Sequence, residues 1–451
     1  MTREEYSTFK RCMEWYCCDP QFREKADRSP ETAIQELGYA GNLDCEAAFR
    51  AIRWIILKEG DSRDSRDNPY IKEFCEKQRG LLQNKNQKYG KKAYASEKLY
   101  AYEQQALTRC GMENRLFKQN VFIRFYPFAF ELSSGCSVQC PFCGLLAKKH
   151  ESDFLYNDEN VRLFRDIVSI AYRYAGPVLG ASLLYFATEP MDNPDYEKFL
   201  REFREITGDI PQTTTALADK YPQRISRLMD EIGDASLKKE AALRISIRSL
   251  AQFKKIAEQY EAQKLADVEL VSNNPESLTG YSDSGRAREK STLFPQKSKL
   301  DYSICCISGM KVNMVERSVE FIEPEIPDEV YPKGYQIRDH RHFDTAEEFE
   351  RIVRDFDETY VHSRMPRNLP LCFNKNAAVE TEPLRFIFRG DACGYQIGRN
   401  LFTETIVSAI KKNQAFADAA EVLHLSSGDE QRLYKAFNEL FIRGYIRVFC
   451  K

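Results

Sequence analysis

Apolar and polar positions divide this chain into stretches of different texture. From residue 1 to about 115 the apolar positions recur at helical spacing. Ile34 and Leu37 repeat three apart, and Phe49, Ile52, Ile55 and Ile56 form a second stripe, the spacing that lines one face of a helix. Asp19-Pro20 and Ser29-Pro30 each join a capping side chain to a proline. Proline suits a first turn because its missing N–H is not needed there. Gly38 closes the helix before it in a left-handed turn. The stretch from Lys85 to Lys98 is polar and basic. It reads as a solvated linker or exposed helix, with a docking face for an acidic partner as the sharper alternative.

From about residue 120 the pattern alternates between strand and helix. Phe122 to Leu132 reads as a strand, Asn160 to Tyr174 as an amphipathic helix and Ala181 to Ala187 as a buried strand. Tyr196 to Thr207 reads as a helix ended by Gly208. Leu243 to Ile247 and Asp267 to Val271 read as strands around a helix from Ala251 to Tyr260. Ile304 to Ile307 and Val319 to Ile322 add two more strands. Repeated βα units imply a parallel sheet, open or closed into a barrel, with working loops at the C-terminal strand ends. Residues 272 to 300 are polar and predict a long loop, either a mobile cover or a disordered insert. Beyond residue 330 the pattern turns irregular, with prolines at 332, 366, 370 and 383.

The last stretch regains regularity. Ile406 and Ile410 mark one helix, and Ser427-Gly-Asp-Glu430 predicts a capping box before Leu433, Phe437 and Leu440. Gly444 ends that helix, and Tyr445 to Phe449 reads as a strand. Helix, helix, strand at this size predicts a winged-helix-like module. The expected segments are a helical domain at 1–115, an α/β core at 116–330, an irregular connection at 331–400 and this module at 401–451.

Composition narrows the function. Lys and Arg number 66 against 68 Asp and Glu, so the basic excess of a general nucleic-acid binder is absent. No apolar run of about 18 residues exists, and no membrane span is expected. The start, Met1-Thr-Arg-Glu-Glu, lacks an apolar signal core, which predicts a cytoplasmic protein. In such a setting the 14 cysteines are expected as free thiols rather than disulfides. Cys12, Cys17, Cys18, Cys45, Cys75 and Cys110 read as core or incidental residues.

Candidate chemistry centres on residues 130 to 144, where Cys136, Cys140 and Cys143 stand in C-x3-C-x2-C spacing after an apolar run. Three thiolates on one loop can hold a metal centre without completing four-fold ligation. With His150 they would make a Cys3His zinc site, but zinc sites usually pair two separated halves and only one is present. The alternative is an iron–sulfur cluster with an open fourth iron.

The spacing, with aromatic Phe142 between the last two cysteines, resembles the radical S-adenosylmethionine (SAM) superfamily. The resemblance implies one [4Fe-4S] cluster on Cys136, Cys140 and Cys143, with SAM on its open iron, and a partial (β/α)6 TIM-like barrel. Phe142 would then lie against the adenine base. Ala187-Thr188-Glu189-Pro190 resembles the superfamily's turn for the SAM amino group, lacking its glycines. This implies a backbone contact to that amino group at Thr188 and an acceptor at Glu189. Arg244-Ile-Ser246-Ile-Arg248 resembles the strand that offers Ser246 to the ribose and Arg248 to the SAM carboxylate.

Longer stretches resemble the radical SAM epimerases that mature ribosomally made peptides of the proteusin type. They are Phe-Glu-Leu-Ser-Ser-Gly-Cys-Ser at 130–137, Phe-Ala-Thr-Glu-Pro-Met-Asp-Asn-Pro-Asp-Tyr at 186–196, Pro-Gln-Thr-Thr-Thr-Ala at 211–216, Ser-Gly-Arg-Ala at 284–287 and Ile-Cys-Cys-Ile-Ser-Gly-Met-Lys-Val-Asn-Met at 304–314. That family typically has Trp at the place of Phe186 and Asp at the place of Glu189. The resemblance implies Cα hydrogen abstraction from an L-residue and return of hydrogen by a thiol, Cys306 by position, with Cys305 just before it. Neighbours on a strand face opposite sides, so only one of the two can serve. A neutral thiol suits hydrogen-atom transfer, and an unperturbed cysteine with a pKa of about 8.5 is mostly neutral at pH 7. The implied partners are a precursor peptide with its leader and a flavodoxin or ferredoxin as electron donor, with no nucleic acid and no membrane. The same chemistry serves crosslinking maturases, and a zinc-stabilised peptide adaptor is the non-enzyme alternative. Cys372, Cys393 and Cys450 are too scattered for a second cluster.

Overall fold

The computed structural model describes residues 1–39, 43–59, 67–110, 125–236, 243–293, 299–300, 303–375, 377–389 and 394–449. The start of the expected strand at 122–124, Cys393 and Cys450 lie outside the described residues. The chain forms two compact units. One comprises residues 1–88, 130–161 and 183–300, and the other residues 89–129, 162–182 and 301–451.

In the first unit the helical stripes behave as their spacing predicts. Phe49 and Ile52 are fully buried among Phe9, Tyr16 and Phe22, while Ile55 and Ile56 are only partly covered. Asp19 caps the helix Pro20–Arg28 by accepting from the N–H groups of Gln21 and Phe22. Ser29 makes no such bond at the next helix and pairs with Thr32 instead. These helices share their unit with the strands that follow. The buried Arg11 donates to the Tyr260 carbonyl at 3.0 Å, and Trp15 meets Phe253 edge-on at 4.9 Å.

Three strands of this unit, Thr213–Thr215, Leu243–Ile247 and Glu269–Ser272, pair in parallel, with Thr214, Arg244 and Glu269 in register. Leu243, Ile245 and Ile247 are buried and Arg244 and Ser246 half-buried, the period of two expected of a strand with unlike faces. The structure is mixed α/β, and no six-stranded barrel is shown among the described residues. Parallel ladders join these three strands and also the short pair Tyr281–Ser282 and Lys299–Leu300. The segment from Ala181 to Ala187 is not a strand. Pro177–Ala181 forms a 3-10 turn, and afterwards the backbone is held by scattered bonds. The Leu183 carbonyl accepts from Phe130 N–H, and the Ala187 N–H donates to the Glu131 carboxylate at 2.8 Å. A side chain has taken the place of a ladder partner.

Residues 272–300 also differ from expectation. They carry the pair just named and a short helix, Gly285–Glu289.

The second unit contains a sheet ordered Tyr126–Glu131, Ile307–Asn313, Ser318–Pro324, Tyr335–His342. The first of these strands runs on into the other unit. The strand expected at Ile304 begins at Ile307 instead, because Cys305 N–H bonds to the Ser303 hydroxyl and holds a turn. Helix Ala346–Tyr360 buries Phe349, Ile352, Val353 and Phe356, and Tyr360 stacks on Phe321 at 4.9 Å.

The stretch read as irregular, 331–400, is largely regular. Its strands Ala378–Thr381, Arg385–Arg389 and Gly394–Gly398 form an antiparallel sheet. Phe386, Phe388 and Ile397 share one core with Ile406, Ile410, Phe437 and Leu440. The helix Ser427–Ile442 is capped by Ser426, one residue before the expected position. Its following strand, Ile446–Val448, pairs with Leu371–Phe373. No described helix is long and apolar enough to cross a membrane.

Candidate functional site

The loop carrying Cys136, Cys140 and Cys143 follows strand Tyr126–Glu131 and is fixed by side chains from distant parts of the first unit. Gly135 adopts φ +77°, and a Cβ there would lie 2.2 Å from the Lys149 carbonyl. Cys136 N–H donates to the Lys148 carbonyl at 2.9 Å. The Gln139 amide donates to the carbonyls of Cys136, Ala147 and Lys148. One side chain thereby closes the loop on itself.

Arg286, from the helix Gly285–Glu289, grips the loop from outside. Its guanidinium donates to the Cys140 carbonyl at 2.9 Å, Gln139 Oε1 at 3.0 Å and the Ala147 carbonyl at 2.7 Å. Its own N–H donates to the Cys143 carbonyl at 2.8 Å. The preceding Gly285 has φ +51°, and a Cβ there would stand 2.4 Å from the Gly144 carbonyl oxygen. Only glycine allows this approach of two backbones.

The stretch 186–196 holds the loop from a third direction. Asp192 accepts from the N–H and hydroxyl of Ser137. Asn193, fully buried, donates to the carbonyls of Leu132 and Phe154 and accepts from Asp195 N–H. Arg224 grips Glu197 with two bonds and also donates to the carbonyls of Met191 and Asn193. A planar fork with four acceptors cannot be copied by an ammonium. Arg224→Lys is therefore expected to lower unfolding stability by about 2 kcal/mol, read from urea midpoints.

The expected site residues fall as follows. Thr188 is half-buried in the turn before Pro190. Glu189 is buried. One of its oxygens accepts from Met191 N–H at 3.1 Å and the Thr215 hydroxyl at 2.6 Å, and the other from Ala216 N–H at 2.8 Å. Burial pushes its carboxyl up to about 7 in spite of these bonds. Arg248 lies beside Asp219 at 3.5 Å and donates to Gln252. Gln252 in turn donates to the Ala216 carbonyl and Asp219, which joins Arg248 to the turn that Glu189 holds. Ser246 is half-buried on the same strand face as Arg244. Phe142 packs on Tyr281 and Ala287, so at least one side of its ring is taken by protein.

Cys136 and Cys143 both lie within electrostatic reach of Cys140. Burial first, then the charges of Cys136 and Cys143, push the Cys140 thiol up to about 12, and Arg248 opposes them. Burial pushes Cys136 up to about 11 against the N–H groups of Val138 and Gln139. Burial and like charge oppose ionisation of Cys140, and a bound cationic centre would favour the thiolate, which is the chemistry a metal cluster on these three cysteines would supply. Among the described residues no three His, Cys, Asp or Glu side chains are gathered so as to hold a metal ion. His150 bonds Asp153 at 3.0 Å.

Cys306 belongs to the second unit. It is half-buried, and its carbonyl accepts from Tyr126 N–H at 2.8 Å. Cys305 is buried, and its thiol donates to the Ile307 carbonyl at 3.3 Å. Arg286, Asp192, Asn193 and Gln139 were not singled out from the sequence. The signal was present for most of them, since Arg286, Asp192 and Asn193 stand inside the motifs quoted above.

No protein-family model matches the chain. It is 30% identical over 387 residues, 83% of its length, to the uncharacterized protein y4wI of Sinorhizobium fredii (strain NBRC 101917 / NGR234), of which the match covers 74%. Among solved structures, BtrN in complex with AdoMet and 2-DOIA aligns at 13% identity over 34% of this chain. The aligned part spans 58% of BtrN, and the TM-score is 0.25, a likeness that carries no argument about fold or activity.

Proposed function

The chain belongs to the family of the uncharacterized protein y4wI of Sinorhizobium fredii, and we propose that it is a cytoplasmic radical SAM peptide epimerase that turns L-residues of a ribosomally made precursor into D-residues. The observation that carries this reading is the cysteine loop. Its thiols Cys136 and Cys143 lie within electrostatic reach of Cys140, and the loop is fixed by Arg286, Gln139 and Asp192. A [4Fe-4S] cluster on Cys136, Cys140 and Cys143, with SAM bound, would supply a carbon radical able to take a peptide Cα hydrogen. Around it the chain's own residues bind and orient. With SAM bound, Glu189 would accept from its amino group beside the Thr188 backbone, Arg248 would pair with its carboxylate, Ser246 with the ribose and Phe142 with the base.

Cys306 returns the hydrogen. Its S–H bond breaks as a C–H bond forms on the substrate carbon. The thiyl left behind takes one electron from a flavodoxin- or ferredoxin-type donor and a proton from solvent. Cys305 is less suited, because its thiol is buried and engaged by the Ile307 carbonyl. Making the D-residue only requires that the new hydrogen arrive on the face opposite the one lost.

The test is anaerobic turnover with a precursor peptide in deuterated water. The expected product gains one deuterium per inverted residue, and Cys306→Ala consumes SAM without making D-residues. A mass loss without deuterium would support a crosslinking maturase instead. A colourless, iron-free protein that still binds the precursor would support the zinc-stabilised adaptor.

A further inference from the structure

The helix Leu250–Gln259 opens on Ser249-Leu-Ala-Gln252, the residue pattern of a capping box. Ser249 plays its half and accepts from Gln252 N–H at 3.2 Å. Gln252 turns one residue further back. Its Oε1 accepts from Arg248 N–H at 2.7 Å and from Arg248 Nε at 3.3 Å. Its Nε2 donates to the Ala216 carbonyl and to Asp219, both at 2.8 Å. A capping box uses only the oxygen of this amide. The two donated bonds reach a different strand end.

That strand end is firmly held. Ala216 N–H donates to Glu189 at 2.8 Å, Leu217 N–H to the Thr215 hydroxyl at 3.0 Å and the Tyr260 hydroxyl to the Ala218 carbonyl at 2.9 Å. Thr213–Thr215 and Leu243–Ile247 are parallel neighbours. Gln252 therefore bridges the residues just past their C-terminal ends, where parallel sheets place their ligands.

Arg248 is what the bridge carries. Gln252 holds its Nε, and Asp219 stands 3.5 Å from Nη2, while about a third of the side chain stays exposed. Its charge reaches the Cys140 thiol. A free arginine loses rotamer freedom when a ligand arrives. Here two partners have restricted it beforehand, and such preorganisation favours binding. A planar guanidinium held this way matches a carboxylate.

We propose that Gln252 is a positioning residue that, with Asp219, fixes the Arg248 guanidinium within reach of the cysteine loop and so selects a ligand with a free carboxylate. This rests on the SAM site proposed above. Gln252 itself touches no ligand atom and acts through Arg248.

The test compares SAM with decarboxylated SAM, which lacks only the carboxylate. Binding to the anaerobically reconstituted full-length protein is measured by equilibrium dialysis without reductant, so no turnover enters. Any contribution of iron to either affinity is common to parent and variant. Gln252→Met is expected to weaken SAM about tenfold and to leave decarboxylated SAM unchanged. In an Arg248→Gln background the same substitution is expected to change neither affinity. A parent that binds neither ligand overturns the SAM reading and this proposal with it. A parent that binds SAM, with Gln252→Met weakening both ligands equally or neither, overturns this proposal alone. If Gln252→Met does not fold, Asp219→Asn decides. It keeps an acceptor for Gln252 and removes the charge that competes for Arg248, so SAM alone is expected to tighten. An unchanged ratio of the two affinities overturns the proposal.

Discussion

Arg286→Met is expected to hold iron at least roughly tenfold less tightly than the parent chain after anaerobic reconstitution, the usual cost of removing a residue that orients metal ligands. The reason is geometric. Its guanidinium spans Gln139, Cys140 and Ala147, so losing it releases both ends of the turn that carries Cys140 and Cys143. Methionine keeps much of the apolar length and removes every donor, which separates orientation from packing. Arg286→Lys restores charge but cannot reach three acceptors in one plane, and little recovery is expected from it. The readouts are iron per chain, the visible charge-transfer band and the rate of iron loss to a chelator. A variant that retains iron like the parent would show that the loop holds itself through Gln139 and Asp192 alone.

The second large effect concerns pH. Burial raises the Glu189 carboxyl from its ordinary value of 4.5 to about 7 in the folded chain. The folded state therefore binds its proton more tightly than the unfolded state does. Between those two values the folded chain carries more protons, so stability falls as pH rises through this window. The full benefit of the protonated form is present below about 4.5 and is gone above about 7. The gap corresponds to about 3 kcal/mol. Glu189→Gln removes the titrating group, and the difference in stability between parent and variant is expected to drop by about that amount from pH 4.5 to pH 8. At low pH the variant should be the weaker of the two. Three donors, from Met191, Thr215 and Ala216, converge on this side chain, and an amide nitrogen cannot accept from any of them. Urea midpoints across the range measure this, and parallel pH profiles would remove the assignment.

Local signals proved legible where local physics decides. The helix Tyr196–Thr207 and its end at Gly208, with φ +79°, follow from spacing and a left-handed cap. The strand Leu243–Ile247 follows from alternation. Legibility failed where a side chain took over a backbone partner. Residues 181–187 are as apolar as any strand, yet Glu131 takes the Ala187 N–H and the ladder does not form. The segment 272–300 looked like a polar loop because its polar residues read as solvated. Arg286 in fact faces inward onto the cysteine loop.

The amino-acid sequence by itself determined the ingredients of the candidate centre: three cysteines at close spacing, an acidic turn at Glu189 and the motif residues around them. Those are properties of neighbours along the chain, and short-range spacing fixes them. Only the tertiary structure decided how the cysteine loop is held. Arg286 reaches it from 146 residues away, Asp192 from 55, and Gly285 admits the contact through a missing Cβ. Such grips depend on loop closure and on the direction of each side chain, which no periodicity encodes.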